Sequence, residues 1–324
     1  MNECHRRPVL VVTNLLDETA DVVIRVLNAR AVPVARLDPG VDIREGGALA
    51  ATLGPTGMQG HITTATRRIE LNDVRSVYWR RPTAYAPPAG LEGAAGDWTV
   101  YQFRWGMGGV LAALPRCLYL NHPQRNRTAE YKPSQLAVAN KVGLSTPPTL
   151  ITTDPQAAKE FCAAQRDGAI YKPLWTSPYP DAEGRARTVW VSVVDPNDIT
   201  DAVSVCPHLF QTKVPKEFDV RLTAVGDKLF AVRIDIDGSH LDWRKDYSQL
   251  RYAAVPVPAD VAGGIGAYLR EFGLRYGAFD FAVTSRGHWT FLECNPNGQW
   301  AWLPGDIREP IAQALADHLQ KGLS

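Results

Sequence analysis

The chain has no CxxC pair, no GxGxxG turn, no long apolar run and no excess of one charge. Each absence removes a class of function. The five cysteines, Cys4, Cys117, Cys162, Cys206 and Cys294, are odd in number and scattered. That argues against a disulfide framework or a structural zinc site, and for free thiols in a reducing cytoplasm. Lysine and arginine together number 35 against 34 aspartates and glutamates, a net charge of +1. So balanced a chain has no basic field for nucleic acid. No apolar stretch approaches the roughly 20 residues that span a bilayer. The opening MNECHRRPVLVVTN has basic residues, but its apolar run is short and no small-residue cleavage site follows. It is not expected to be a signal peptide. The first strand-to-helix turn lacks the dinucleotide fingerprint. There is no internal repeat.

What is present is an ordinary globular composition, 45% apolar and 21% charged, over 324 residues. That length suits two or three packed subdomains. Residues 8–14 read as a buried strand, 17–30 as an amphipathic helix and 32–38 as a second strand. This β-α-β opening argues for an α/β unit with a parallel sheet. A further strand is expected over 74–82, ending in two arginines, and a helix over 98–115. A helix from about Pro133 to Val142 should stop at Gly143. A helix over 155–167 and a strand over 169–174 follow. The remainder is strand-rich, with helices at about 259–272 and 306–320. Two short α+β units after an α/β unit imply a ligand cleft between domains.

Four groups of residues could carry chemistry. The sharpest is the last hairpin, GAFDFAVT–SRGH–WTFLECN. If Arg286-Gly287 is a two-residue turn, Asp280 falls opposite Glu293. Like charges directly across a sheet destabilise it, and a divalent cation reverses that sign. Alternation puts Asn295 on the same face as Glu293. Two carboxylates and an amide are hard oxygen ligands of the kind Mg²⁺ takes alongside water and phosphate. The plain alternative is an exposed strand end with ordinary charges. The second group is Lys132, at a helix start, and Lys172, in the apolar strand AIYKPL. Both suit polyphosphate, and the plain alternative for each is a surface lysine, more so for Lys132 than for Lys172.

The third is QTKVPKEFDVRL, residues 211–222, a strand, a break and a strand. This hinge could read a flat base, an acid could hold ribose hydroxyls, and Arg221 could neutralise phosphate charge. A cross-strand ion-pair ladder is the bland reading. A three-residue loop, Gly226-Asp227-Lys228, would set Arg233 opposite Arg221. A two-residue loop would put it on the other face. The fourth is HLDWRKDYSQLRY, residues 240–252, either a solvated loop or an aromatic, polar lip for a peptide.

In order and residue type, these groups resemble the ATP-grasp superfamily. The match is closer to the ribosomal-peptide maturases that make graspetides, the microviridin-like macrocyclases. It is carried by YWRRPTAY, LNHPQRNRTAEYKPSQLAVANKVGLSTPPTLITT, KEFDVRLTAVGDKLFAVRID, DWRKDYSQLRY and FLECNPNGQW. The Glu-x-Asn element is specific only to the superfamily. NHPQRNRTAEYKP and NPNGQW are more telling. The resemblance implies an ATP-grasp fold of mixed α/β and α+β class. It has an N-terminal α/β domain (1–122), a central α+β lid (123–207) and a C-terminal α+β unit built on an antiparallel sheet (208–324).

The resemblance also implies roles. Lys132 and Lys172 would hold ATP phosphates. Gln211, Lys213 and Val214 would line the adenine hinge, and Glu217 would take the ribose. Asp280, Glu293 and Asn295 would ligate Mg²⁺, and Arg221, with Arg233, would stabilise phosphoryl transfer. Asp242, Trp243 and Arg244 would lie near the peptide. The activity implied is ATP-dependent closure of Asp or Glu side chains of a precursor peptide onto Thr or Ser hydroxyls, or Lys amines. The partner is that precursor, with a docking leader, rather than nucleic acid or membrane. A cytoplasmic homodimer is implied too. One departure is the lid loop, 175–187, which has only Gly184 where many relatives are glycine-rich. A ligase adding a free amino acid to a carboxylate would share every ATP residue. A nucleotide- and peptide-binding module without catalysis would not need both magnesium carboxylates.

Overall fold

The computed structural model describes residues 7–175, 179–181, 183–236 and 250–323. The lip residues Asp242, Trp243 and Arg244 lie outside the described residues. The N-terminal strands, Val9–Val12, Val34–Leu37, Ser76–Trp79 and Leu118–Leu120, form one parallel sheet. The first of them pairs with both the second and the third. Buried on both faces, it reads as an unbroken apolar run. Helix Glu18–Ala29 covers one face, capped by the Asp17 side chain on the Ala20 N–H. Helix Gly93–Ala112 starts five residues before its expected start. A three-stranded meander, Ala48–Gly54, Gly57–Thr63 and Arg68–Glu70, was not anticipated. Its alternation is diluted by Ala, Gly and Thr, and it buries only Met58, Ile62 and Ile69.

The central sheet is antiparallel, in the order Ser192–Val194, Ala169–Lys172, His208–Thr212, Thr149–Thr152. Helix Pro155–Ala163 packs on one face, and the two share a small core of their own. The other face presents Lys172 and Gln211. The C-terminal sheet has five antiparallel strands in the order Leu250–Ala254, Lys228–Ile236, Phe218–Val225, Tyr276–Val283, Trp289–Asn295. Helices Pro123–Ala129, Lys132–Lys141 and Ala259–Phe272 cover one of its faces. The first two precede the central sheet in the chain yet pack with the C-terminal one. Helix Gly305–Lys321 packs beside helix Glu18–Ala29, so the N-terminal and C-terminal units share one core.

Arg80 binds these two units together. Its guanidinium is buried and paired with buried Asp17, at 3.1 and 3.3 Å. It also donates to the carbonyls of Asn297 and Gly298, each at 3.1 Å. The Asn297-Gly298 step closes a turn begun at Asn295. Gly298 is needed there because a Cβ would collide with Ala278. Asn121 works from the other side. It donates to the carbonyls of Tyr276 and Pro296 and accepts the N–H groups of Arg275 and Tyr276. NHPQR and NPNGQW therefore meet at one joint.

Burial pushes the Asp17 carboxyl up, but the Arg80 charge and hydrogen bonds from Arg80, Thr13 and Ala20 outweigh it and hold the group below its ordinary 3.8. A lowered folded pKa means stability that is present above the ordinary carboxylate range and lost as pH falls through the folded value. Arg80→Met should cost about 3–5 kcal/mol near neutral pH, because it strands a buried carboxylate. That stranded carboxyl titrates above its ordinary value. The gap in stability between wild type and variant should therefore begin to narrow above about pH 4, as the stranded carboxyl protonates, and narrow further below it. Denaturant melts at several pH values check both statements.

Candidate active site

The site grows from the last hairpin, and its register is not the simple one. Near the turn Val283 pairs with Trp289, and Thr284 and His288 close a three-residue loop in which Gly287 has φ of 76°. The two-residue Arg286-Gly287 turn is thus replaced. Further on, the register shifts by one between Asp280 and Phe281, so that Phe281 faces Phe291 while Asp280 faces Glu293. Leu292 is the extra residue, a β-bulge. The two departures cancel, and Asp280 still stands opposite Glu293.

The bulge decides which way the acid points. Trp289, Phe291 and Cys294 all belong to the apolar core under the helices. With strict alternation, Glu293 would share the Phe291 face and enter that core. The extra residue switches the parity. Glu293 turns to the opposite face, with Asp280 and Arg221, and Asn295 follows it two residues on. The bulged Leu292 carbonyl accepts the Lys172 ammonium at 3.2 Å.

Five of the expected residues meet there. Arg221 sits directly across from Asp280, and one of its guanidinium nitrogens reaches both carboxylate oxygens at 2.8 and 2.9 Å. Lys172 lies 3.0 Å from Glu293 and Lys132 3.6 Å from the same oxygen. Asp280 and Glu293 are each 7% exposed. Burying two opposed carboxylates is tolerable only with compensation, and it arrives from three places. Arg221 comes from the same sheet, Lys172 from the central sheet and Lys132 from the first turn of a helix.

Gln135, on that same helix, was not anticipated. Its side-chain N–H groups donate to the carbonyls of Ala129 and Cys294, at 2.7 and 2.8 Å, and its oxygen accepts the Cys294 N–H at 3.0 Å. It clamps the helix start, and so Lys132, onto the strand that carries Glu293. Lys132-x-x-Gln135 puts both on one helical face, and that spacing was the available signal. Cys294 itself is no nucleophile, since burial, with Asp280 nearby, pushes its thiol up. The remaining sequence candidates form the joint between the two antiparallel sheets. Gln211 is buried and donates to the Thr149 hydroxyl at 2.8 Å. The Lys213 N–H donates to Gly168, the Val214 carbonyl accepts from Lys216, and exposed Glu217 donates its N–H to Val283.

Arg233 does not join them. Val225 pairs with Lys228, which makes Gly226-Asp227 a two-residue turn, with Gly226 at φ of 60°. Arg233 therefore pairs with Val220 on the helix-covered face, away from Arg221. There it binds Asp235 at 2.7 Å and lies over the Phe218 ring.

No family model matches the chain, and neither does any curated protein. Solved structures do. The macrocyclase MdnC bound with precursor peptide MdnA, from Microcystis aeruginosa MRC, superposes with a TM-score of 0.84 at 27% identity, covering 96% of this chain and 98% of that one. The fold is that of the ATP-grasp ligases. The macrocyclase MdnB of the same organism gives 0.80 at 27% identity over the same shares. A RiPP-associated ATP-grasp ligase of Chryseobacterium gregarium, in complex with ADP and a leader and core peptide, gives 0.86 at 24% identity over 96% of each chain. No described helix of the chain is long and apolar enough to cross a membrane.

Gln135→Leu should cost about 1–3 kcal/mol by orphaning the Cys294 backbone groups. A denaturant melt measures it.

Proposed function

We propose that the chain is an ADP-forming ligase that closes side-chain carboxylates of a ribosomally made precursor peptide onto hydroxyls or amines of the same peptide. The observation that carries this is the buried, opposed Asp280–Glu293 pair, compensated by Lys132, Lys172 and Arg221. It lies in a fold that matches two macrocyclases over nearly their whole length. The precursor peptide and ADP named for the similar proteins support the substrates assigned here. In the same reading, residues 1–122, 123–207 and 208–324 are the three functional units, and the enzyme is a cytoplasmic homodimer.

The donor set fits magnesium. Among the described residues no three of His, Cys, Asp and Glu gather as a metal group. Mg²⁺ commonly takes one or two carboxylates and leaves its other positions to water and phosphate. Asp280 and Glu293, with the Asn295 amide, would hold it. Bound there, it would offset phosphate charge and polarise the transferred phosphoryl group. Lys132 and Lys172 hold the phosphates of ATP. Gln211, Lys213 and Val214 line the base, and Glu217 takes the ribose.

The chemistry follows from charge. A peptide carboxylate is a poor electrophile. Its oxygen attacks the γ-phosphorus, the bond to ADP breaks, and ADP leaves. Arg221 would neutralise charge on the transferring group. The resulting acyl phosphate is attacked at its carbonyl carbon by a Thr or Ser hydroxyl, or a Lys amine. Inorganic phosphate leaves, and the nucleophile's proton passes to solvent. Because both groups lie on one peptide, effective concentration favours closure. A leader segment docked elsewhere on the enzyme raises it further.

The test uses the Thr- and Asp/Glu-rich precursor encoded beside the gene, with ATP and Mg²⁺. Loss of one water mass per bond is the expected result. A gain of one amino-acid residue would instead identify a ligase for free amino acids. An unchanged mass with nucleotide bound would identify a binding module. Glu293→Gln and Asp280→Asn should abolish turnover while the fold, followed by circular dichroism, survives. Arg221→Gln should lower kcat by about 10²–10³.

A further inference from the structure

A cavity of about 870 Å³ opens beside the reaction centre, where three parts of the chain meet. Helix Gly93–Ala112 borders it on one side, and helices Pro123–Ala129 and Lys132–Lys141 on another. Leu174 and Trp175, just past the Lys172 strand, contribute a third. Lys132 lines the cavity and also faces Glu293, so this one side chain borders both the cavity and the proposed site.

Trp105, Trp175 and Tyr131 border the cavity from three separate segments, yet are 77%, 71% and 58% exposed. Large aromatics left in solvent around one concavity are a recognition surface in want of an occupant. Gly108 and Gly109 also line it, three and four residues after Trp105 and so on the same helix face. Glycine inside a helix is unfavourable, and packing does not call for it here. A Cβ on either residue would meet nothing within 4 Å. What the pair supplies is space. Among the described residues lining the cavity, Arg104, Arg127 and Lys132 are cationic and Glu130 is the only carboxylate.

We propose that this cavity receives the stretch of precursor peptide that carries the reacting acid. Apolar side chains beside that acid pack on Trp105 and Trp175, and further acidic residues lie over Arg104 and Arg127. This rests on the ligase reading and adds the place where the acceptor peptide lies. It also gives that peptide a chemistry, apolar and acidic residues side by side.

The experiment follows the precursor by tryptophan fluorescence and by mass in wild type, Gly109→Leu and Gly106→Leu. Gly106 lies on the same helix outside the cavity, with equally open space beside it. Gly109→Leu should raise KM for the precursor at least tenfold and abolish the quenching that the precursor causes in wild type. Its stabilisation by ADP with Mg²⁺ should match wild type. Gly106→Leu should behave as wild type throughout. Replacing the apolar residues beside the reacting acid by serine should raise KM in wild type but hardly further in Gly109→Leu. Wild-type KM and quenching in Gly109→Leu would overturn the cavity assignment and leave the ligase reading intact. Quenching without any mass change, lost in Gly109→Leu, would do the opposite.

Discussion

Asp280 and Glu293 face each other across two hydrogen-bonded strands, both nearly out of water. Two like charges so placed would push the hairpin apart. Every other feature of the cleft answers that opposition. Arg221 meets Asp280 from the neighbouring strand. Lys172 reaches across from the central sheet, and Lys132 comes in on a helix that Gln135 fastens to the same strand. The carboxylates therefore hold three parts of the chain around one point. A cluster with three cations and two acids suits the arrival of further anions, which is what a nucleotide's phosphates are.

Around that point, two units share one core and the third has its own. The N-terminal and C-terminal units share a core and are joined by the buried Arg80–Asp17 pair and by Asn121. The central sheet keeps its own small core. The Lys172 ammonium ties it to the cluster, through Glu293 and the Leu292 carbonyl.

Much of the cleft was legible because its residues lie on regular strands. Arg221 and Asp280 are both candidates by residue type and strand position, and the structure pairs them. A two-residue turn at Arg286-Gly287 would also pair Asp280 with Glu293. The chain arrives there by a three-residue loop and a bulge. No residue type in WTFLECN announces the bulge. It exists because Phe291 and Cys294 both belong to the core while Glu293 does not. Arg233 went the other way. Its two candidate loops differ by one residue, and one residue reverses the face. The dipeptide turn at Gly226-Asp227, with Gly226 in the left-handed region, sends it to Asp235 and Phe218.

Local chemistry written in residue order was enough for the classes of element, the ligand types and the resemblance to ATP-grasp ligases. Periodicity and side-chain type act over a few residues, and those can be read without a fold. Three things required the folded chain: the parity switch at Leu292, the clamp of Gln135 on Cys294, and the meeting of NHPQR with NPNGQW. Each joins residues distant in sequence, or depends on which of two faces a shared core will accept. Such choices are made by packing across the whole molecule, and no single stretch contains them.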